Sequence, residues 1–330
     1  LTQFMGETEA RELIDETEAL FNRFGMDGPV YPTDMDQARQ IRAQARKTGI
    51  DLLIIRQKHL GSDNLPRLIG DMTEYVKGKG VTFHTSEEVK NVVTSGGAVT
   101  GLSQRGIEVG VRVEVPREVM QELCEVIYDP TFFIRTSKYD DQTRTFCTND
   151  GGFVALENYQ DFVCVNGHAY MDKKSGNTNF AFLSKVVLND PVTNNQAYGE
   201  HIGRLASLIG DGKPILQRFG DLKRGRRSTW SRIKNSSIEP TLKNVVCGDI
   251  AMALPERILT NIVEGLEKLN QVVPGVANDE TLLYAPEIKF FATQVETSEH
   301  LETAVAGLFV AGDGPGVAGN IVSAAATGLI

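Results

Sequence analysis

The chain has 330 residues, a formal net charge of −9, 41% hydrophobic and 23% charged residues, which are values typical of a water-soluble globular protein with room for two domains. The net negative charge argues against nucleic acid as a partner. No apolar run reaches the roughly 20 residues needed to cross a bilayer, so no membrane span is predicted.

The cysteines and histidines predict no local metal site. Four cysteines lie far apart without CxxC spacing, and the five histidines are scattered. This excludes a sequence-local zinc site, although folding could still bring distant residues together. The first residues also lack the basic and apolar regions of a signal peptide. We therefore expect a reducing, cytoplasmic location.

The first third of the chain alternates helices with short strands. Apolar spacing predicts a helix over 7–24, and Asp34 is placed to cap a second helix that ends at Gly49. The further elements expected before residue 103 are a strand Leu52–Ile55, a helix to about Lys79, a strand Val81–His84, and a hairpin of Glu88–Val93 with Ala98–Leu102.

From Ile107 onward the pattern becomes rich in strands. The expected strands are Gly106–Val115, Phe132–Ser137, Thr143–Cys147, Gly152–Leu156, Phe162–Gly167, Asn179–Val187 and Tyr284–Thr293. Two helices are expected among them, Asn195–Leu208 and the amphipathic Glu256–Val272.

The last residues form the most specific pattern. Leu308–Ala311 predicts a short buried parallel strand, a glycine turn follows, and Asn320 opens a helix of small residues. Glycines permit close backbone approach to a ligand, and a helix N-terminus offers free N–H groups. The simpler alternative is an ordinary strand-to-helix turn.

Two residues are candidates for chemistry. His59 lies in a polar loop after a strand, where an imidazole could exchange a proton near neutral pH, or could merely bond its own loop. Its neighbour Lys58 is either an anion contact or a solvated side chain. Cys147 precedes a polar turn and could act as a thiolate only with a lowered pKa; the alternative is a small buried side chain.

The segment Lys223–Lys234 is the strongest basic cluster of this acidic chain. Its candidates for binding an anionic substrate or partner are Arg224, Arg226, Arg227 and the stacking ring of Trp230. The alternative is a solvated loop or a set of charges paired with acidic neighbours.

The C-terminal pattern resembles the flavin-binding signature of FAD-dependent oxidoreductases with the glutathione-reductase-type fold, and the stretch Lys58–Pro66 also resembles a family of uncharacterised FAD-dependent dehydrogenases. The resemblance implies FAD as cofactor, NAD(P)H as a candidate electron donor and a small-molecule substrate. A homo-oligomer is left open. The flavin contacts implied by the resemblance are Gly312, Asp313, Gly314, Gly316, Val317, Ala318, Gly319, Asn320 and Ile321.

This resemblance implies an α/β fold with part of an FAD-binding Rossmann-like domain and an inserted β-rich α+β substrate domain. The expected boundaries are 1–102, 103–275 and 276–330. The G-x-G-x-x-G turn of such domains does not precede residue 80. We therefore expect the sequence to be part of a longer protein, with segments lacking before Leu1, near 102/103 and after Ile330.

The expected function is an FAD-dependent oxidoreductase that transfers hydride through the flavin N5. One alternative is a non-catalytic flavoprotein-like domain that binds an anionic partner through Lys223–Lys234. A flavin-free NAD(P)-linked dehydrogenase is a third interpretation, weakened by the missing glycine fingerprint.

Overall fold

The computed structural model describes residues 6–86, 102–103, 106–192, 194–292, 294–316 and 318–330. The chain divides into two compact units. The smaller unit comprises Leu1–Asp27, Asn64–Arg105 and Phe291–Ile330, and the larger unit comprises Gly28–Asp63 and Gly106–Phe290.

The described residues form short and long strands with helices between them. The strands are β1 Val30–Tyr31, β2 Ile50–Leu53, β3 Gln57–Lys58, β4 Leu102–Ser103, β5 Ile107–Pro116, β6 Thr131–Arg135, β7 Gln142–Asn149, β8 Phe153–Asn158, β9 Val163–His168, β10 Asn177–Val186, β11 Ile215–Arg218, β12 Val246–Cys247, β13 Leu282–Phe290 and β14 Gln294–Val295. The helices are α1 Glu7–Arg23, α2 Met35–Lys47, α3 Leu65–Lys77, α4 Gln121–Val126, α5 Asn195–Ile209, α6 Phe219–Lys223, α7 Trp230–Lys234, α8 Glu256–Leu269 and α9 Ile321–Ala326.

The larger unit is built on an eight-stranded sheet of order β12-β11-β13-β5-β10-β7-β6-β2. The pair β11–β12 is parallel, and the other neighbouring pairs are antiparallel. Strand β5 is central, and the side chains of Val109, Val111, Val113 and Val115 are fully buried. They belong to the same apolar core as the buried side of α8, where apolar burial supplies most of the stability of the unit.

The opposite face of β5 carries polar side chains at alternate positions. Arg112 and Glu114 are both fully buried, and side chains on a strand alternate between the two faces. The hairpin β8–β9 packs against this region, and its residues Val154 and Val165 form a second apolar core with Tyr284. The sheet therefore has one apolar face and one face that contains buried polar groups.

Most predicted elements are confirmed within a few residues. The N-cap role of Asp34 is also confirmed, because its carboxylate accepts hydrogen bonds from the backbone N–H groups of Asp36 and Gln37. The α/β class is confirmed at this coarse level, with a mixed sheet. No helix in the described residues is long and apolar enough to cross a membrane.

Two predicted strands are wrong. The described residues 81–84 do not form a strand, and in 308–311 the sole pairing is an isolated bridge between Glu302 and Phe309. The ring of Phe309 is 60% exposed. A buried parallel strand needs a continuous hydrogen-bonded neighbour and covered faces, and the described residues supply here only this one antiparallel bridge. The predicted hairpin of Glu88–Val93 with Ala98–Leu102 lies outside the described residues except for Leu102, which belongs to β4.

The division of the chain differs from the predicted boundaries. Residues 28–63 lie in the larger unit because β2 pairs with β6. Residues 276–290 also lie there, because β13 pairs with both β5 and β11. The strand expected to return to an FAD-binding sheet thus completes the large sheet instead. Within the smaller unit, α1 packs on α9, and β4 pairs with β14.

Candidate functional site

His59 forms a hydrogen-bonded pair with Tyr128. The Nε2 atom of His59 lies 2.9 Å from the Tyr128 hydroxyl, and the two rings stack with centroids 4.1 Å apart. The ring of Tyr31 lies 5.4 Å from that of Tyr128. The sequence alone placed His59 in a loop, whereas its partner Tyr128 comes from a segment that no local pattern connects to it.

Both members of this pair are electrically neutral near pH 7. Burial lowers the pKa of His59 to about 4; Lys174 acts in the same direction, and Asp63 opposes it. Burial raises the pKa of Tyr128 above its usual range, and nearby acidic groups add to the effect. The phenol therefore keeps its proton and can donate a hydrogen bond to an unprotonated Nε2. The pair forms this hydrogen bond without burying a net charge.

The loop that carries His59 is held in place by the segment after β9. Gly61 has φ +85°, and a Cβ atom there would lie 2.8 Å from Cγ of Met171. The backbone N–H of Ser62 donates to the carbonyl of Ala169 at 2.8 Å. Glycine is therefore required here for both conformation and space. The neighbouring Lys58 lies in β3, in register with Val30.

A second polar cluster surrounds Arg112 in the middle of the sheet. Its guanidinium donates from Nε to Asn179 Oδ1 at 2.8 Å, from Nη1 to Glu287 Oε1 at 3.0 Å, and from Nη2 to the carbonyl of Cys147 at 2.6 Å. Arg112 and Asn179 are fully buried and Glu287 is 6% exposed. A buried charge is tolerated only when it is paired and hydrogen-bonded in this way.

Glu287 differs from the other buried carboxyl of this face. Both oxygens of Glu114 are partnered, since Oε1 accepts from the Thr241 hydroxyl and Oε2 accepts from the Tyr284 hydroxyl at 2.5 Å. Glu287 has a partner for Oε1 alone, and its Oε2 is a buried atom without one in the described structure. Burial raises the pKa of Glu287 to about 7, although Arg112 opposes the shift. Glu287 can therefore carry a proton near neutral pH.

Cys147 takes part in the Arg112 cluster mainly through its backbone carbonyl rather than through its thiol. Its φ of +50° is unusual for a residue with a side chain, and its carbonyl accepts hydrogen bonds from both Arg112 and Asn149. Burial raises the pKa of the thiol, against the effect of Arg112. A raised pKa disfavours the thiolate that a nucleophile requires.

One hydrogen bond joins the chain segments that carry Tyr128 and Cys147. The carboxylate of Asp129, next to Tyr128 in the chain, accepts a hydrogen bond from the backbone N–H of Thr148 at 2.7 Å. Thr148 directly follows Cys147. His59 and Cys147, the two residues predicted for chemistry, thus lie in the same unit.

Arg112, Asn179 and Glu287 were not found by sequence reasoning. One signal was present: Arg112 and Glu114 interrupt the valine pattern of β5 at alternate positions. Such an interruption in a central strand indicates a buried polar face. Their partners come from distant strands, so the network itself could not be predicted.

The basic cluster Lys223–Lys234 is largely ion-paired. Arg224 pairs with Asp279 at 2.5 Å, and Arg226 pairs with the buried Asp221 at 2.8 Å. Arg227 is exposed, and the ring of Trp230 is 45% exposed. These pairs correspond to the alternative in which the positive charges are neutralised by acidic neighbours. Binding of an anion by this cluster stays a prediction.

Three glycines of the C-terminal segment have open space beside their backbone. A Cβ atom on Gly312, Gly314 or Gly319 would meet nothing within 4 Å, and Asp313 is exposed. The helix is confirmed, with Asn320 as N-cap, but it has six residues and Ile321 is 57% exposed. Gly316 and Ala318 are buried, and Val317 lies outside the described residues. The described segment does not enclose a ligand, so by itself it does not fit a closed flavin site.

Comparison with known proteins identifies the family. Residues 106–289 match the model of "FAD-dependent protein, C-terminal domain-like", which is more than half of the chain. The chain belongs to this family. Membership supports an association with FAD at the level of the family. The matched residues include most of the large sheet, with Arg112, Cys147, Asn179 and Glu287, but not β2.

The chain is also similar to an uncharacterized protein of Clostridium beijerinckii. The two are 23% identical over 326 residues, an alignment that covers 82% of this chain and 60% of the relative. The chain therefore spans less than two thirds of the length of that curated relative. This likeness does not add an activity, because the relative is itself uncharacterized.

Proposed function

We propose that this protein is part of an FAD-dependent oxidoreductase and that its larger unit is the substrate-side domain. The observation that carries the proposal is the match of residues 106–289 to a family of FAD-dependent proteins. The buried polar face of the same unit supports it, since small-molecule sites combine apolar walls with a few placed polar groups.

The residues of the larger unit would position the substrate. FAD, when bound, supplies hydride transfer. The Tyr128 hydroxyl would keep its proton and donate a hydrogen bond to the neutral His59 Nε2, 2.9 Å away, and its oxygen would accept a hydrogen bond from a substrate. The substrate is a small molecule, and NAD(P)H as electron donor stays a prediction.

The flavin contacts expected at 312–321 are part of this proposal. The open backbone of Gly312 and Gly314 leaves room for a flat ring to approach. The aligned part covers 60% of the relative from Clostridium beijerinckii, which therefore has additional length.

The test measures bound flavin. The purified chain and the Clostridium beijerinckii relative are each incubated with FAD, separated from free cofactor by gel filtration, and examined for flavin absorbance. We expect retained flavin, most strongly in the relative. In this chain Asp313→Lys should reduce it, whereas Asp172→Lys, which changes another exposed carboxylate, in the larger unit, should not. Absence of flavin from both proteins would overturn the proposal.

The alternative function, a non-catalytic domain that binds an anionic partner through Lys223–Lys234, is not favoured by the geometry. The contacts of Arg224 with Asp279 and of Arg226 with Asp221 already satisfy these charges. A new partner would have to replace those pairs.

A further inference from the structure

Three exposed side chains of the basic cluster, Arg227, Trp230 and Lys234, together form what we call the Trp230 surface. Trp230 and Lys234 lie one turn apart on α7 and therefore on the same side of that helix. Arg227 comes three residues before Trp230, so their Cα atoms lie within about 11 Å of each other. The ring of Trp230 is 45% exposed. One short segment thus presents an aromatic ring with a cation on each side of it in the chain.

Neither cation of the Trp230 surface has an acidic partner among the described residues. The other basic side chains of Lys223–Lys234 each lie near an aspartate, Lys223 and Arg224 near Asp279, and Arg226 and Arg232 near Asp221. Arg227 and Lys234 therefore leave an uncompensated positive patch on a chain whose net charge is −9. A surface of this kind is complementary to a negatively charged partner.

The paired residues of the cluster hold this segment in place. The buried Asp221 accepts a hydrogen bond from the Ser228 hydroxyl at 2.8 Å. Arg232 Nη1 donates to the backbone carbonyl of Arg227 at 2.7 Å, and the buried side chain of Ile233 fixes α7 in the second apolar core. The exposed side chains are thus carried by a backbone that is already ordered, which lowers the entropic cost of binding.

We propose that the Trp230 surface docks an acidic segment of a partner protein. Carboxylates of the partner pair with Arg227 and Lys234, and an apolar side chain packs on the Trp230 ring. Tryptophan and arginine are the residue types that most often dominate protein–protein binding energy, and the arginine fork matches a carboxylate. Two cations give only weak attraction to anionic lipid, which disfavours a membrane as the partner.

The aspartate pairs of the cluster stay intact in this complex, because the partner contacts only the two cations that these pairs leave over. The proposal does not depend on flavin binding, since the contacts are all made by the larger unit.

The test uses the fluorescence of Trp230, which is the sole tryptophan of the chain and therefore reports this surface alone. The probe is a synthetic peptide in which glutamates flank one leucine. We expect a saturable blue shift of the emission, because the peptide covers the ring, and a lower affinity at higher salt. A peptide with glutamines in place of the glutamates should bind about tenfold more weakly, since it forms no ion pairs.

Variants of the chain locate the contact. Arg227→Gln and Lys234→Gln should each weaken binding of the acidic peptide about threefold, because each removes one exposed ion pair. Lys213→Gln, the same kind of change at an exposed lysine elsewhere in the larger unit, should leave the affinity unchanged. For Trp230→Ala the fluorescence anisotropy of a labelled peptide is measured instead, and we expect a loss of about thirtyfold.

The proposal is overturned if the acidic peptide gives no saturable shift, if the glutamine peptide binds equally well, or if Arg227→Gln and Lys213→Gln have equal effects. A shift produced by phosphatidylserine vesicles and not by the peptide would assign the surface to a membrane. A shift that depends on protein concentration alone would assign it to a second copy of the chain. Either of these results also overturns the proposal.

Discussion

The backbone of Gly167 lies directly against the guanidinium of Arg112. A Cβ atom on Gly167 would overlap Arg112 Nη2, Asn149 Nδ2 and Asn179 Oδ1. The hairpin β8–β9 therefore closes on the buried polar cluster without any side chain between them, and this close approach requires glycine.

The first prediction concerns this contact. Gly167→Ala should lower the free energy of unfolding by about 3 kcal/mol or more, because the added methyl must displace a buried charged network. The measurement is urea denaturation. Gly176→Ala is the control, since a Cβ there meets nothing within 4 Å and should change stability by less than about 1 kcal/mol. Equal effects of the two variants would contradict the close packing.

The second prediction is a pH dependence of stability due to Glu287. Arg112 from β5 faces this carboxyl, and Glu157 from β8 adds a like charge that raises its pKa. The pKa is about 7 in the folded protein against 4.5 as the ordinary value, so the folded state binds more protons between these values. Stability should therefore fall as pH rises from 4.5 to 7, by a contribution on the order of 3 kcal/mol.

Comparison of variants isolates that contribution. In Glu287→Gln the proton-dependent part should disappear from the unfolding free energies measured across this pH range. Glu122→Gln, at an exposed position of α4, should retain the slope of the wild-type protein. A wild-type slope in Glu287→Gln would show that the carboxyl is ionised throughout.

The third prediction concerns the charge state of His59. Its pKa of about 4 lies below the ordinary value of 6.5, so the unfolded chain takes up a proton between these values while the folded protein does not. This histidine should thus reduce stability as pH falls from 6.5 to 4. NMR should find the imidazole neutral at pH 6. A protonated ring at that pH would contradict the neutral, hydrogen-bonded pair of His59 and Tyr128.

The contribution of Lys174 to this effect can be tested separately. Lys174→Met should raise the pKa of His59, by less than about one unit because burial is the larger cause. Lys173→Met removes a neighbouring charge that lies over the ring of Phe153, and it should leave the titration of His59 unchanged.

The fourth prediction compares two aspartates of the basic cluster. Asp221 is 1% exposed, pairs with Arg226 and accepts from the Ser228 hydroxyl at 2.8 Å. The Asp279 side chain is 43% exposed and pairs with Arg224. Asp221→Asn should cost about 2 kcal/mol of stability, because it weakens buried hydrogen bonds, and Asp279→Asn less than about 1 kcal/mol. Thermal unfolding with the same buffer for both variants provides the comparison.

Local patterns predicted the elements with strong periodicity. The apolar spacing of α8 and the cap at Asp34 depend only on residues within a few turns, and both appear in the structure. The strand predicted at 308–311 is wrong for the converse reason. Its apolar run met the local criterion, but a strand also needs continuous pairing, and the described residues provide a single bridge between Glu302 and Phe309.

The sequence by itself determined the α/β class, the β-rich middle of the chain, the loop that carries His59 and the likeness to FAD-dependent proteins. Only the tertiary structure decided that Tyr128 faces His59, that β13 joins the large sheet, and that Arg112, Asn179 and Glu287 meet. In the chain, His59 and Tyr128 are 69 positions apart. Arg112 is 67 positions from Asn179 and 175 positions from Glu287. Strand pairing across such distances depends on register and on the packing of both faces of the sheet, which no local pattern specifies.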